Sequence, residues 1–383
     1  MRRRLVILTE IIAPYRIPVF NALAARKEVD LHVIFLAETD PSLRQWEVYL
    51  DEIRFSYEVL KSYRRRVGRF NVLLTRGITA ALRDRNPQVI MGGGYNYLAM
   101  WQAQRWARRH GVSFLLWSES NAADTRMDFP CVEAAKRRFI QRCHGYVVPG
   151  TSAAAYMKTF AVASDRIFVA PNAVDTERFA NGAAQARREP YLRESLGLPP
   201  RYLLYVGRLV RAKGVLDLLA AYATLPEGIR REVGLVLAGG GEELDECVRR
   251  SREIRQGVVV FPGFLQRDQL PSFYAFADAL VFPTHSDPWG LVVNEAIACG
   301  LPVIASDVAG CVADLVRDGE NGRVVRAGDS QGLLQAMEQV LNAPELRRQM
   351  SDRSLEISSR FTPQAWAEGV VRAVAANSGE DRG

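Results

Sequence analysis

The 383-residue chain has no apolar run approaching the roughly 20 residues that cross a bilayer, so an integral membrane protein is not expected. The start, MRRRLVILTE, is basic, but its apolar run covers only 5–8. That is too short for a secretory leader and reads as a first strand. Cysteine is scarce, odd in number and unclustered (Cys131, Cys143, Cys247, Cys299, Cys311), which predicts reduced thiols in a cytoplasmic setting. The four histidines (His32, His110, His144, His285) show no zinc spacing, and no metal is expected. Neither half opens on G-x-G-x-x-G, which disfavours a nicotinamide dehydrogenase.

What is present fits two domains of similar size, since 383 residues exceed one ordinary core. Apolar residues at 48% and charged residues at 24% are the proportions of a globular protein. The net charge of +7 is uneven: residues 1–185 carry +10 and the remainder −3. Basic clusters occur at Lys61, Arg64, Arg65, Arg66 and Arg69, at Arg105, Arg108 and Arg109, and at Lys136, Arg137, Arg138 and Arg142. Such a field would draw an anionic membrane face, a lipid diphosphate or a polyanionic acceptor, and solvated helix faces are the plainer alternative. No recognised motif accompanies the charge, so nucleic acid is not an expected partner.

The most informative stretch is 281–306, VFPTHSDPWGLVVNEAIACGLPVIAS. An apolar strand breaks at Pro283 and passes a polar loop with Asp287, Pro288, Trp289 and Gly290. A helix is predicted over 291–298, closed by Gly300 and Pro302, before a second strand at 303–305. Glu295 stands in mid-helix among apolar residues, where a lone carboxylate is costly unless something pairs with it. Ligand hydroxyls would satisfy it, because an ionised carboxylate only accepts hydrogen bonds. The amides of Gly290, Leu291 and Val292 and the positive end of the helix dipole would form an anion site. Phosphate at the helix start and hydroxyls one turn in describe a sugar nucleotide. The alternative is that Asp287 caps the helix and Glu295 meets a basic residue across the core.

An acidic residue, seven intervening residues and Glu, with a proline-aromatic-glycine step between and A-x-x-C-G-L-P-V-I-A-S after, resembles the hallmark of the retaining glycosyltransferases of family 4. That resemblance implies an α/β architecture, the GT-B fold, in which two doubly wound Rossmann-like domains face each other across a cleft. The first acidic position is usually Glu in the family and is Asp287 here. Gly207-Arg208 to Lys213-Gly214 resembles the family's G-R-x-x-x-x-K-G element, in which Arg208 would fork onto a diphosphate and Lys213 supply a point charge. Phe264 and Leu265 would lie beside the nucleobase, with a core role as the other reading for Phe264. Pro171-Asn172-Ala173-Val174-Asp175 resembles the P-N-G-V-D turn, and Asp318-Gly319-Glu320-Asn321-Gly322 the D-G-x-N-G turn.

The expected organisation is an acceptor-side domain over 1–180, a polar linker over 181–200, a nucleotide-sugar domain over 201–360, and, over 361–383, a last helix that packs back on the first domain, followed by a tail. In the first domain, the loop after the first strand has no glycine, a helix is predicted over 72–85, and Gly92, Gly93 and Gly94 follow a strand. That triplet fits either a ligand near the backbone or a tight turn. Glu119 is read as an acceptor-side contact or as a solvent-facing loop carboxylate. The tail over 377–383 is expected to be disordered.

The resemblance further implies transfer, with retention, of a hexose-type sugar from a UDP- or GDP-linked donor to a hydroxyl of a glycan, lipid-linked or small-molecule acceptor. Polysaccharide or glycoconjugate biosynthesis in a bacterial cytoplasm, with peripheral contact to the inner membrane face, is the implied setting. Glu295 would hold the ribose and Asp287 the sugar, while Arg208, Lys213 and the helix start take up charge developing on the diphosphate, so that no cofactor or divalent metal is needed. A nucleotide-sugar epimerase on the same fold, or a sugar-nucleotide-binding protein of weakened activity, are the alternatives.

Overall fold

The computed structural model describes residues 2–39, 45–67, 70–123 and 130–378. The chain divides into two compact units, one built from 1–172 with 362–383 and the other from 173–361.

In the first unit the strands are β1 (Arg3–Thr9), β2 (Val29–Phe35), β3 (Ser56–Val59), β4 (Ser62–Val67), β5 (Phe70–Thr75), β6 (Val89–Gly93), β7 (Ser113–Trp117), β8 (Gly145–Val148) and β9 (Ile167–Val169). Seven of them form one sheet in the order β3-β2-β1-β6-β7-β8-β9, parallel throughout. The inner strands read as unbroken apolar runs, such as Leu5, Val6, Ile7 and Leu8, because both sheet faces are covered. The order reverses between β1 and β6, the switch point of a doubly wound sheet.

Residues 72–85 do not form one helix. β4 and β5 make an antiparallel hairpin with Tyr63 opposite Leu74 and Arg64 opposite Leu73, and the helix is confined to Ile78–Arg85. Gly77, at φ 93°, separates the two. The β-branched and apolar run before it is short enough to be strand, and strand pairing overrides the helical spacing.

The second unit contains β10 (Arg201–Val206), β11 (Val233–Ala238), β12 (Val259–Gly263), β13 (Ala279–Phe282), β14 (Val303–Ser306) and β15 (Gly322–Val325). They form a parallel sheet in the order β12-β11-β10-β13-β14-β15, so its switch point lies between the carboxyl ends of β10 and β13. This is the Rossmann strand order.

The stretch 181–200, expected to be a polar linker, is largely helical and belongs to the second unit. Asp175 caps the helix Thr176–Arg188 through the Arg178 amide at 3.1 Å. Phe179, Ala183 and Ala186 recur on one face and are buried in the core with Tyr274 and Ile297. The helix Pro363–Asn377 belongs to the first unit, where Trp366 meets the rings of Phe20 and Trp117 at 5.7 and 5.6 Å. Arg69 and the tail from 379 lie outside the described residues.

Candidate active site

The candidate residues converge at the switch point of the second unit. The loop after β10 carries Gly207 and Arg208, turns through Arg211–Lys213 and enters the helix Val215–Thr224. The loop after β13 carries Asp287 and enters the helix Leu291–Ala298. Backbone bonds join them: the His285 amide donates to the Ala212 carbonyl at 3.0 Å, and the buried Thr284 hydroxyl donates to the same carbonyl at 3.1 Å. Both helices begin on a glycine in the left-handed region, Gly214 at φ 66° and Gly290 at φ 101°, and neither start has a side-chain cap.

The Leu291 and Val292 amides carry no hydrogen bond among the described residues. They sit at the positive end of the helix dipole and are available to an anion. Lys213 Nζ donates to Asp287 Oδ2 at 2.6 Å and to the Ser286 carbonyl at 2.8 Å, with both side chains largely buried. Asp287 does not cap the helix: its Oδ1 accepts the Trp289 amide at 3.0 Å, which sets the turn leading to Gly290. Both oxygens of the acid expected to touch the transferred sugar are therefore engaged by the protein. Arg208 is exposed and makes no ion pair among the described residues. Its carbonyl accepts from Tyr205 Oη at 2.7 Å, which anchors the loop.

Trp289 is buried and donates to Asn294 Oδ1 at 2.8 Å, locking the loop to its helix. One turn in, Glu295 meets a tyrosine and no cation: Tyr274 Oη donates to its Oε2 at 2.7 Å. Burial pushes the Glu295 carboxyl up to about 7 against the opposing pull of that hydrogen bond. The expectation of a carboxylate that only a ligand could satisfy is thus half corrected, because one oxygen is already held by the protein. Sequence reading missed Tyr274, which lies in an apolar helix, Leu270–Phe276, with no motif to mark it. Nor did it show that His285 Nε2 lies 2.6 Å from Asp217 Oδ2 in the first turn of the helix Val215–Thr224.

Phe264 is 42% exposed just beyond β12, so its core reading is wrong, whereas Leu265 is half-buried against the core. In the first unit Glu119 is not a free loop carboxylate, because it pairs with buried Arg16. Arg16 also donates to Asn172 Oδ1 at 3.0 Å and lies 4.4 Å from the centroid of the Trp117 ring. A Cβ on Gly92 would lie 2.6 Å from the Phe114 ring, so packing accounts for that glycine. Among the described residues no cluster of histidine, cysteine and acidic side chains could hold a metal, and no helix is long and apolar enough to cross a membrane.

The fold and the position of these loops define an α/β protein of the GT-B class, with two Rossmann-like domains. The family described as Glycosyltransferase Family 4 matches 20–178, and the family described as Glycosyl transferases group 1 matches 189–356. The chain belongs to the group 1 glycosyltransferases. Among curated relatives, D-inositol 3-phosphate glycosyltransferase 2 of Catenulispora acidiphila is 36% identical over 199 residues, covering 49% of this chain and 45% of the relative. Glycogen synthase of Mycobacterium tuberculosis is 33% identical over 219 residues, covering 54% and 52%. The chain thus spans about half the length of the curated relatives it matches. Among solved structures, HepE of Anabaena in complex with UDP superposes with a TM-score of 0.76 at 17% identity, over 98% of this chain and 100% of that one.

Proposed function

We propose that this chain is a retaining glycosyltransferase that moves a hexose-type sugar from a UDP- or GDP-linked donor to a hydroxyl of a glycan, lipid-linked or small-molecule acceptor. The observation that carries the reading is the meeting, at one switch point, of open amides at Leu291 and Val292, the Lys213 ammonium, and a carboxylate one turn further in. Anion donors, cation and hydroxyl acceptor then follow the order of a nucleoside diphosphate sugar. Arg208, whose exposed side chain makes no ion pair among the described residues, would fold onto the diphosphate with Lys213. As the bond from the anomeric carbon to the diphosphate breaks and the acceptor oxygen bonds that carbon, negative charge grows on the leaving phosphate oxygen, which takes up the acceptor's hydroxyl proton. The two cations and the helix start would stabilise that charge without a divalent metal. Glu295 would accept from the ribose hydroxyls, Phe264 and Leu265 would flank the base, and Gly207 would let the phosphates near the backbone.

A thermal-shift screen across nucleoside diphosphates and their sugars should give stabilisation by one nucleotide class, since a ligand stabilises only the state it binds. Glu295→Ala should weaken that nucleotide about tenfold to hundredfold in calorimetry, the size of lost hydrogen bonds to a charged group. Unchanged affinity would remove Glu295 from the site.

Peripheral contact with an anionic membrane face is proposed for the first unit. Arg105, Arg108 and Arg138 are exposed and pair with no acid among the described residues. Arg142 is held below its usual range by its own desolvation and by the like charges of Arg138 and Arg108. Vesicles containing phosphatidylserine should float with the protein at low salt and release it at high salt. Replacing Arg105, Arg108, Arg138 and Arg142 by Ala should abolish flotation, and equal flotation with neutral vesicles would refute the contact.

A further inference from the structure

Glu295 is the only acid in the helix Leu291–Ala298, and among the described residues its carboxylate has a single proton donor. Tyr274 is wholly buried, and its ring sits edge-on against Phe179 at 6.1 Å, so the phenol has little freedom to turn elsewhere. Its next oxygen neighbour is the Val292 carbonyl at 3.5 Å, against 2.7 Å for Glu295 Oε2. No hydrogen bond reaches Glu295 Oε1 among the described residues. We propose that Tyr274 is a positioning residue of the donor site: it fixes one carboxylate oxygen of Glu295 so that the other is presented, ionised, to ligand hydroxyls. The role in ligand binding rests on the nucleotide reading above, whereas the coupling of the two side chains does not.

The surrounding groups leave this task to Tyr274. On the helix Thr176–Arg188, Arg187 is committed to the carbonyls of Ala275 and Cys299 at 3.0 and 2.8 Å, and Arg178 pairs with Asp175 and Asp268. On the helix Pro344–Ser358, Arg347 bonds the carbonyls of Val340 and Leu341 and approaches Asp278. Arg348 pairs with Glu345, Arg353 with Glu320 and Glu356, and Asp352 is exposed. Strands β13 and β14 contribute no ionisable side chain, and the Cys299 thiol, one turn on, is itself pushed up by burial and by Glu295. Removing the phenol oxygen leaves a desolvated carboxylate with no donor, which must take up a proton at higher pH.

The test compares wild type, Tyr274→Phe and Glu295→Gln. Without ligand, the sign is set by the raised Glu295 value. The Glu295 contribution to stability is full below the ordinary carboxyl range and is lost as pH rises towards about 7, levelling off above it. Tyr274→Phe should go on losing stability past that point, and Glu295→Gln should lack this slope. A Tyr274→Phe melting profile that is merely offset from wild type at every pH would show that the phenol only packs, and would overturn the coupling. With UDP and GDP as probes, Tyr274→Phe should bind the accepted nucleotide about threefold to tenfold more weakly at pH 7 and recover as pH rises. A uniform loss at every pH would overturn the positioning role. A wild type that binds neither nucleotide while its ligand-free profile behaves as described would overturn the donor reading, with the Tyr274–Glu295 coupling upheld.

Discussion

Lys213→Ala and Arg208→Ala should each lower turnover by about a hundredfold or more with donor and acceptor saturating, the effect of removing one stabiliser of developing charge. The ground-state diphosphate already carries charge, so KM should rise too. The larger loss is expected in kcat, because the interaction strengthens as the leaving group departs. The two cations start from different states. Lys213 is already fixed by Asp287 and the Ser286 carbonyl, so little ordering is left for the ligand to impose. Arg208 is exposed, so on the proposed reading its ordering would come from the donor. Lys213→Ala therefore carries a second consequence, a lower melting temperature, because it leaves the largely buried Asp287 without its cation. Arg208→Ala should melt with the wild type. Turnover near wild type in both variants would remove the cationic clamp, and nucleotide binding without any turnover in the wild type would favour a binding protein of weakened activity.

The legible parts of the chain were those in which local chemistry and tertiary role coincide. Strands such as Arg201–Val206 announce themselves because a parallel sheet buries both faces. The helix Leu291–Ala298 was readable because Gly290 precedes it and Gly300 and Pro302 follow it. Elsewhere composition misled. The stretch after Ala180 looks like a linker by its arginines and alanines, although Phe179, Ala183 and Ala186 already trace one face of a helix. The hairpin of β4 and β5 was hidden because antiparallel pairing is a non-local fact that a single segment does not display. Within the site, charged residues at motif spacing were found, but their partners were not. The bond from Lys213 to Asp287 spans two loops of the sheet, and that from Tyr274 to Glu295 joins two helices. Neither pairing has a signature along the chain, since each depends on strand order.

Gly214→Ala should be among the most damaging single-methyl changes in the second unit, beside Gly239 and Gly322, whose added Cβ would meet backbone oxygen at the same 1.9 Å. A Cβ at Gly214 would stand 1.9 Å from the Pro283 carbonyl oxygen, which is backbone and cannot swing aside as a side chain does. Either the loop after β10 or the loop after β13 must move, and both are tied together by the bonds to the Ala212 carbonyl. We expect a loss of at least about 3 kcal/mol, in the range set by backbone strain combined with overpacking. For a unit of this size that lowers the melting temperature by about 6–12 °C. Gly197→Ala is the internal control: Gly197 has the same φ of 66°, but a Cβ there meets nothing within 4 Å. Its cost should be the left-handed penalty alone, about 1–2 kcal/mol. The difference between the two variants in calorimetry isolates the collision from the backbone conformation. Equal losses would mean that the two loops can separate at little cost, and the close seating of Lys213 on the β13 loop would then not be enforced by the fold. If instead Gly214→Ala loses nucleotide binding along with stability while Gly197→Ala keeps it, the tight approach of the two loops is what holds the cation and the helix start in one site.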